Sequence, residues 1–488
     1  MKLLTTRSCI SGAITKWLLV PAIVVLAHFQ AFAREASDPF GTDSALPPRP
    51  ALRMDGSAGD PCASKPLDHA LNLAEFVNLA LCNNPQTRVA WANSLAQAAQ
   101  MGVSESAYLP SLGLNASYNH ISGSTPGVDQ SDVGVAFSYL LYDFGSRSAN
   151  LENSRQLLAA AIATQDSTVQ TVFLAAMQDY YQVQADVAAL DAALESERAA
   201  KESFAAAEAR YNAGTATPAD KLQAQTAYSQ ATLNRITADG NLRSAQGTLA
   251  NMIGLDANVN VSLAPTSPAE IPENFEGDIN ALIEKARRIR PDLRAAAAQA
   301  KAAEASAEAA RAAGRPTISL VASADRYNTS GINSSGSTVG INLSVPIFSG
   351  FSTTYSVRAA EAQADVKNVQ LEQLRLQVAL DVWTAYQHLS TATQSLRSAA
   401  VLLDSADQSE RVALGRYKAG VGSMLDVLNA QSALASARQQ NIQSMLDWNI
   451  GRATLAQAMG NLDANLLQIL SEDSGQPKTG NKIQSPQP

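Results

Sequence analysis

The 488-residue sequence predicts a membrane-anchored α+β protein made of two copies of one unit, each a pair of alternating strands followed by a very long helix. Three observations carry that prediction. The chain aligns with itself, without a gap, at an offset of 206 residues. Each copy holds two segments of about ten residues in which apolar residues alternate with small or polar ones, a strand period. Each copy then runs through 66 residues almost free of helix breakers.

The repeat is marked by residues that punctuate structure. Pro85 falls on Pro291, Pro110 on Pro316, Tyr142 on Phe348 and Tyr180 on Tyr386. Arg210-Tyr211-Asn212-Ala213-Gly214 falls on Arg416-Tyr417-Lys418-Ala419-Gly420, and Leu249-Ala250 with Gly254 falls on Leu455-Ala456 with Gly460. These matches bound a first copy at residues 67–256 and a second at 276–462. Between them, 257–275 carries Pro265, Pro268 and Pro272 among polar residues, which is linker composition.

Residues 1–33 read as a secretory signal. Lys2, Arg7 and Lys16 supply positive charge, Trp17 to Phe29 an apolar core, and Ala31-Phe32-Ala33 small residues for cleavage. That run is too short for a convincing membrane span, and no later stretch approaches ~18 consecutive apolar residues. Losing the signal removes three positive charges and takes the formal charge from -8 to -11. So acidic a chain is unsuited to nucleic acid, whose phosphates need clustered Lys and Arg. Residues 34–66 and 471–488 are polar or rich in Pro, Asp and Ser, and are expected to be loosely attached.

Of the three cysteines, Cys9 lies in the signal, before its apolar core, and is not placed to carry a lipid. Cys62 and Cys82 in an exported chain favour a disulfide. It would close a loop of about 20 residues and contribute on the order of 3 kcal/mol. The alternative is two independent small core residues.

The strand pairs fall at about 110–142 and 316–348. Leu112, Leu114, Ala116 and Tyr118 alternate with Gly113, Asn115, Ser117 and Asn119, and Val133, Val135, Phe137, Tyr139 and Leu141 follow the same rule. In the second copy Ile318 and Leu320, then Val339, Ile341, Leu343, Val345 and Ile347, repeat it. The length suits a tilted membrane strand. Tyr118, Tyr139, Tyr142 and Phe144, with Tyr327, Phe348 and Phe351, cluster near strand ends like an interfacial girdle. One face of a soluble sheet is the alternative. Four strands cannot close a barrel, and open edges in a bilayer leave backbone groups that no water satisfies. A membrane reading therefore requires copies of the chain to share one barrel.

Residues 146–211 contain neither proline nor glycine, and 352–417 are interrupted only by Gly415. Good helix formers dominate both. Phe173, Ala176, Tyr180, Val183, Val187, Leu190 and Leu194 step alternately by three and four, a heptad seam. At ~1.5 Å per residue each helix is a rod of roughly 100 Å, longer than a membrane is thick. Shorter helices at about 86–107 with 218–253, and 292–313 with 424–459, are expected to stack end to end alongside the rods.

No catalytic pattern is found. His69, His120 and His388 are scattered without metal-ligand spacing, and P-loop, GxSxG and HExxH sequences are absent. The distinctive segments are the turns after the rods, 210–220 and 416–426. Gly214 and Gly420 suit left-handed helix ends, and Asp220 and Asp426 sit where the next helix dipole favours negative charge. Those local roles leave unexplained a tyrosine three residues before the glycine in both copies.

On the duplicated unit, the strand-pair-then-rod order, the two Arg-Tyr-x-x-Gly tips and Asp426-Val427-Leu428, the chain resembles the TolC-type outer membrane factors over about residues 70–465. The resemblance implies a homotrimer with a shared twelve-strand transmembrane β-barrel, four strands per protomer, continued by an α-helical coiled-coil barrel in the periplasm. It implies the exit duct of a tripartite export system, for type I protein secretion or multidrug efflux. Such a duct is a passive channel in outer-membrane lipid, without enzyme activity or cofactor. Its iris-like tip opens when a periplasmic adaptor (membrane fusion) protein and an inner-membrane pump of ABC or RND type dock. The resemblance assigns a closing latch to Tyr417 and Asp220 and a pore-constriction ring to Asp426 and Asn429. It assigns adaptor contacts to Arg210, Tyr211, Gly214, Arg416, Tyr417 and Gly420. Asn429 replaces an expected aspartate, halving the ring charge, and Gly422 replaces an expected basic latch residue. By analogy, the Cys62/Cys82 pair and the lack of a lipid-anchor cysteine lean toward polypeptide secretion. A periplasmic adaptor would instead carry a lipoyl-like domain and a single hairpin. A coiled-coil surface protein would need neither the strand alternation nor the duplication.

Overall fold

A computed structural model describes residues 38–46, 69–123, 127–264, 278–329 and 331–462. The expected signal, Cys62 and the 471–488 tail lie outside the described residues. Residues 38–45 belong to a separate small unit and form a 3-10 turn at Thr42–Ala45.

The first copy contains α1 (Leu73–Asn83), α2 (Pro85–Ser106), β1 (Ser111–Ile121), β2 (Val128–Tyr142), α3 (Ser146–Asn212) and α4 (Pro218–Met252). The second contains α5 (Ile279–Ile289), α6 (Pro291–Ala312), β3 (Thr317–Thr329), β4 (Ile332–Ser344), α7 (Ser352–Lys418) and α8 (Met424–Ala458). Every helix of the second copy begins and ends 206 residues after its counterpart. β4 stops at Ser344 rather than near 348, because Pro346 has no N–H to donate to a ladder.

Helix ends follow their sequence signals. A capping box of Asn72 with Glu75 starts α1, and Asn84 both ends α1 and caps α2, whose first residue is Pro85. Proline fits there because a first-turn N–H has no intrahelical partner. The short α1 and α5, which the sequence reading did not separate, exist because this Asn-Pro or Arg-Pro step breaks one helical run into two. Cys82, in the last turn of α1, is disulfide-bonded. At the switch from strand to rod the backbone turns left-handed twice in each copy, at Phe144-Gly145 and again at Gly350-Phe351. A phenylalanine in that region costs about 1–2 kcal/mol. Tyr142 packs edge-on to Phe144 at 4.7 Å, and Phe348 to Phe351 at 5.5 Å.

The four strands make one antiparallel sheet in the order β1-β2-β3-β4, leaving β1 and β4 as edges. The register gathers apolar residues on one face: Leu112 opposite Phe137, Phe137 opposite Ala322, and Ala322 opposite Val339. Leu320 opposite Ile341 continues it, with Val339 and Ile341 exposed at 77% and 71%. Asn115, Gly134, Asp325 and Gly336 share the other face. Tyr118 and Tyr327 lie toward the hairpin-turn end, whereas Tyr139 and Tyr142 lie toward the helical end.

Helix packing places the shorter helices of the second copy between the two rods. α2 and α4 pack on α3, and α6 and α8 pack on both α3 and α7. The Asn153 amide donates to the Ala302 carbonyl at 2.7 Å, and Arg294 pairs with Asp166 at 3.3 Å, tying α3 to α6. Arg438 pairs with Glu195 at 2.9 Å, tying α8 to α3. One core gathers Phe76, Val77, Leu81, Phe173, Met177 and Leu249, and a second gathers Val378, Val382, Leu396 and Trp448. Each large side chain fully buried there contributes about 1.5–3 kcal/mol.

Two expectations need correction. The heptad seam is buried through Val183, but Val187 and Leu194 are exposed in the single chain. The segment read as a linker is docked where it begins: Val261 is buried, and Leu71 and Leu263 form a parallel bridge. Tyr180 and Gln184 both donate to the Ala264 carbonyl, at 3.1 and 2.8 Å. Backbone pairing to Leu71 satisfies groups that a free linker would give to water.

Candidate functional site

The turns after α3 and α7 are built alike. In the first, the Thr215 N–H donates to the Arg210 carbonyl at 2.9 Å and the Gly214 N–H to Tyr211 at 2.9 Å. In the second, Val421 donates to Arg416 at 3.0 Å and Gly420 to Tyr417 at 3.1 Å. This is a Schellman ending, which needs a left-handed residue. Gly214 and Gly420 supply it with φ of 73° and 79°.

The next helices open with capping boxes. Asp220 accepts from the Thr217 N–H at 3.0 Å, and its own N–H donates to the Thr217 hydroxyl oxygen at 3.2 Å. Ser423 and Asp426 reciprocate in the same way, at 3.1 Å each. The Thr217 hydroxyl, and then its N–H, hold the Asp220 carboxyl below the usual range. The Ser423 side chain and N–H do the same for Asp426, with the charge of Arg416 adding to them. Asp426 and Asn429 stand three residues apart on one exposed face of α8, opposite buried Val427.

The two tips differ where they meet. The Arg210 guanidinium lies over the Tyr417 ring, 4.0 Å from its centroid, and donates to the Tyr417 carbonyl at 3.0 Å. Tyr417 is only 7% exposed and packs with Ala207, Ala224, Met424 and Val427. Its counterpart Tyr211 is 39% exposed, with the Lys221 ammonium 5.5 Å from its ring. Lys221 is itself paired with Glu208 at 2.8 Å. Within the chain, Tyr417 and Asp220 are not hydrogen-bonded to each other; the Asp220 oxygen Oδ2 accepts from the Thr217 N–H and hydroxyl. Sequence reasoning named Arg210 but missed its role as a clamp. An arginine directly before a tyrosine in both tips was the available signal.

Gly422 has a steric role. A Cβ added there would meet the Tyr417 nitrogen at 3.0 Å and the Arg416 Cβ at 3.1 Å. The close approach of this turn to the end of α7 therefore crowds any side chain at this position, including the basic one that the resemblance led one to expect.

Among the described residues, no three of His, Cys, Asp and Glu gather where a metal could bind, and no helix is long and apolar enough to cross a membrane. His69 lies 3.4 Å from Glu75, and His120 lies 2.7 Å from Asp129 between β1 and β2, far apart in the chain.

The outer membrane efflux protein family matches this chain twice, at residues 76–255 and 282–461, two stretches again separated by 206 residues. The chain belongs to the outer membrane efflux protein family. Members of this family are outer-membrane channels, not enzymes. Protein CyaE of Bordetella pertussis is 32% identical over 384 residues, covering 76% of this chain and 80% of that protein. The solvent efflux pump outer membrane protein SrpC of Pseudomonas putida is 30% identical, covering 80% and 85%. The solved outer-membrane channel OprN superposes with a TM-score of 0.71 at 22% identity, over 85% of this chain and 98% of that one, which shows a shared fold.

Proposed function

We propose that the chain is one protomer of a homotrimeric exit duct in the outer membrane. Three sheets of four strands join β1 to β4 around a twelve-strand barrel, and the helices continue it as a coiled-coil barrel in the periplasm. The observation that carries this reading is a sheet with two open edges and an exposed apolar face. Unpaired backbone at both edges is tolerable in lipid only if copies close the wall.

The duct moves cargo passively. An ABC or RND pump in the inner membrane supplies energy, and a periplasmic adaptor binds the helical tips around Arg210, Tyr211, Gly214, Arg416, Tyr417 and Gly420. Docking opens the tips as an iris. Asp426 lines the constriction with one carboxylate per chain, with Asn429 neutral beside it. A Tyr417–Asp220 bond in the closed trimer can use the carboxylate oxygen Oδ1, since both contacts from Thr217 are to Oδ2. Cargo is either small molecules or polypeptide, the disulfide at Cys82 leaning weakly toward the latter.

The test is the mass of the full-length protein, extracted from outer membranes in detergent and measured by light scattering, together with its conductance in planar bilayers. Three copies and a discrete ion conductance are expected. A water-soluble monomer that forms no channel overturns the proposal.

A further inference from the structure

We infer that the tips of neighbouring copies are joined by a second clasp, in which Arg416 of one copy covers Tyr211 of the next. This rests on the oligomeric duct proposed above and specifies which residues close its narrow end.

The argument comes from the internal repeat. Within one chain, Arg210 of the first copy clasps Tyr417 of the second. Advancing that contact by 206 residues pairs Arg416 with a tyrosine in the position of Tyr211. The same chain does not supply it. Arg416 is exposed and its side chain makes no ion pair or hydrogen bond among the described residues, its charge acting at longer range on Asp426, and Tyr211 is 39% exposed. A contact that joins first copy to second within a chain, and second copy to first between chains, is head-to-tail, and such contacts form a ring where the rotation between copies closes, as it does in the trimer proposed above.

Other contacts between the copies leave images in the same places. The Gln431 amide donates to the Ser203 hydroxyl oxygen at 3.1 Å between α8 and α3. The images of those residues are Ser409 on α7 and Gln225 on α4. Both are exposed, and neither has a side-chain hydrogen-bond partner among the described residues. α8 packs on α3, so the image of that interface brings α4 of the next copy onto α7. Both faces hold stranded apolar side chains: Leu222, Leu233 and Ile236 on α4, and Val401 and Val412 on α7. Leu428, the counterpart of Leu222, is already packed against the Tyr417 cluster, whereas Leu222 is 60% exposed. A second copy of this chain is the occupant whose surface matches both faces.

In the ring, clasps within chains alternate with clasps between chains. The Arg416 guanidinium covers the face of Tyr211 not taken by Lys221 and donates to the Tyr211 carbonyl. Opening the tip requires the clasps between chains to break, whereas each in-chain Arg210–Tyr417 pair can move as one body.

The test has two arms on the full-length protein in outer membranes. In the first, Ser409→Cys combined with Gln225→Cys is treated with a short bis-maleimide. Covalent dimers and trimers on a denaturing gel, absent from each single variant and from the parent, are expected. A trimeric mass by light scattering without any such link overturns the inference and leaves the duct standing. A monomeric mass overturns the duct itself. In the second arm, single-channel conductance is measured for Arg416→Ala, Tyr211→Leu and the double variant. A rise of at least twofold in each single variant, not increased further in the double, is expected of residues acting as a pair. Multiplying effects, or no effect, overturn the clasp.

Discussion

The guanidinium of Arg210 and the ring of Tyr417, 207 positions apart, are stacked at 4.0 Å, and a hydrogen bond of 3.0 Å fixes their orientation. This contact joins the first helical tip to the second and adds to the packing of Ala207, Ala224, Met424 and Val427 that buries Tyr417. A cation over an aromatic face contributes about 0.5–2 kcal/mol, depending on how dry the site is.

Arg210→Ala is expected to loosen the second tip without unfolding the rods. Amide hydrogen exchange at residues 417–421 should accelerate about tenfold, equivalent to ~1.4 kcal/mol. Arg210→Lys should recover only part of the protection, since a lysine keeps charge but not the planar fork that both stacks and donates. Equal exchange in Arg210→Ala and the parent would show that the contact does not hold the tip.

Gly422→Ala is expected to disturb the tip nearly as much as Gly422→Arg. The obstacle is the first side-chain atom, crowded at 3.0 Å by the Tyr417 nitrogen, which is backbone and cannot swing aside. Overpacking of this kind costs about 1–3 kcal/mol. Faster exchange at Val421 and Gly420 in both variants is the expected readout. If Gly422→Arg instead protected the tip, a salt-bridge latch would be outweighing the crowding.

Asp426→Asn separates charge from capping. Asparagine keeps an oxygen to accept from the Ser423 N–H, so the start of α8 should survive. If Asp426 lines the constriction as proposed, the pore would lose its negative charge there, and with it the expected cation preference and block by multivalent cations in planar bilayers. Asp426→Ala should abolish block too, and should also cost about 1 kcal/mol through the lost cap. Block that persists in Asp426→Asn would place the constriction elsewhere on the chain.

How much of this was readable beforehand depended on sequence distance. Pro85, Gly214, Pro291 and Gly420 act on their own neighbours, so rod ends at 212 and 418 lie within a residue of expectation. The alternation of Leu112 through Phe137 foretold the apolar sheet face for the same reason. The Arg210–Tyr417 clasp was hidden, because nothing local says which of two like arginines reaches which of two like tyrosines. The docking of 261–264 was hidden by the prolines that follow it, and depends on Leu71 about 190 residues earlier. The seam at Val187 and Leu194 was legible as apolar spacing, yet spacing does not say whether the partner is in the same chain.

Asp179 gives a pH-dependent prediction that tests the packing of the rod. Its carboxyl, partly buried on α3, is pushed up to about 6 by burial. The equivalent position in the second copy is Ala385, which is buried and carries no charge. A raised carboxyl pKa means that the folded chain holds its proton more tightly than the unfolded one. Stability from this group is therefore full below the unfolded value near 3.8, falls as pH rises toward about 6, and is flat above it. Asp179→Asn removes the charge and should raise the thermal midpoint at pH 7.5. Well below 3.8 the carboxyl is protonated in both the folded and the unfolded parent, and the two proteins should melt together. A variant stabilised equally at both pH values would assign the gain to packing instead, and one destabilised at pH 7.5 would mean that the carboxylate has a cationic partner in the assembled protein.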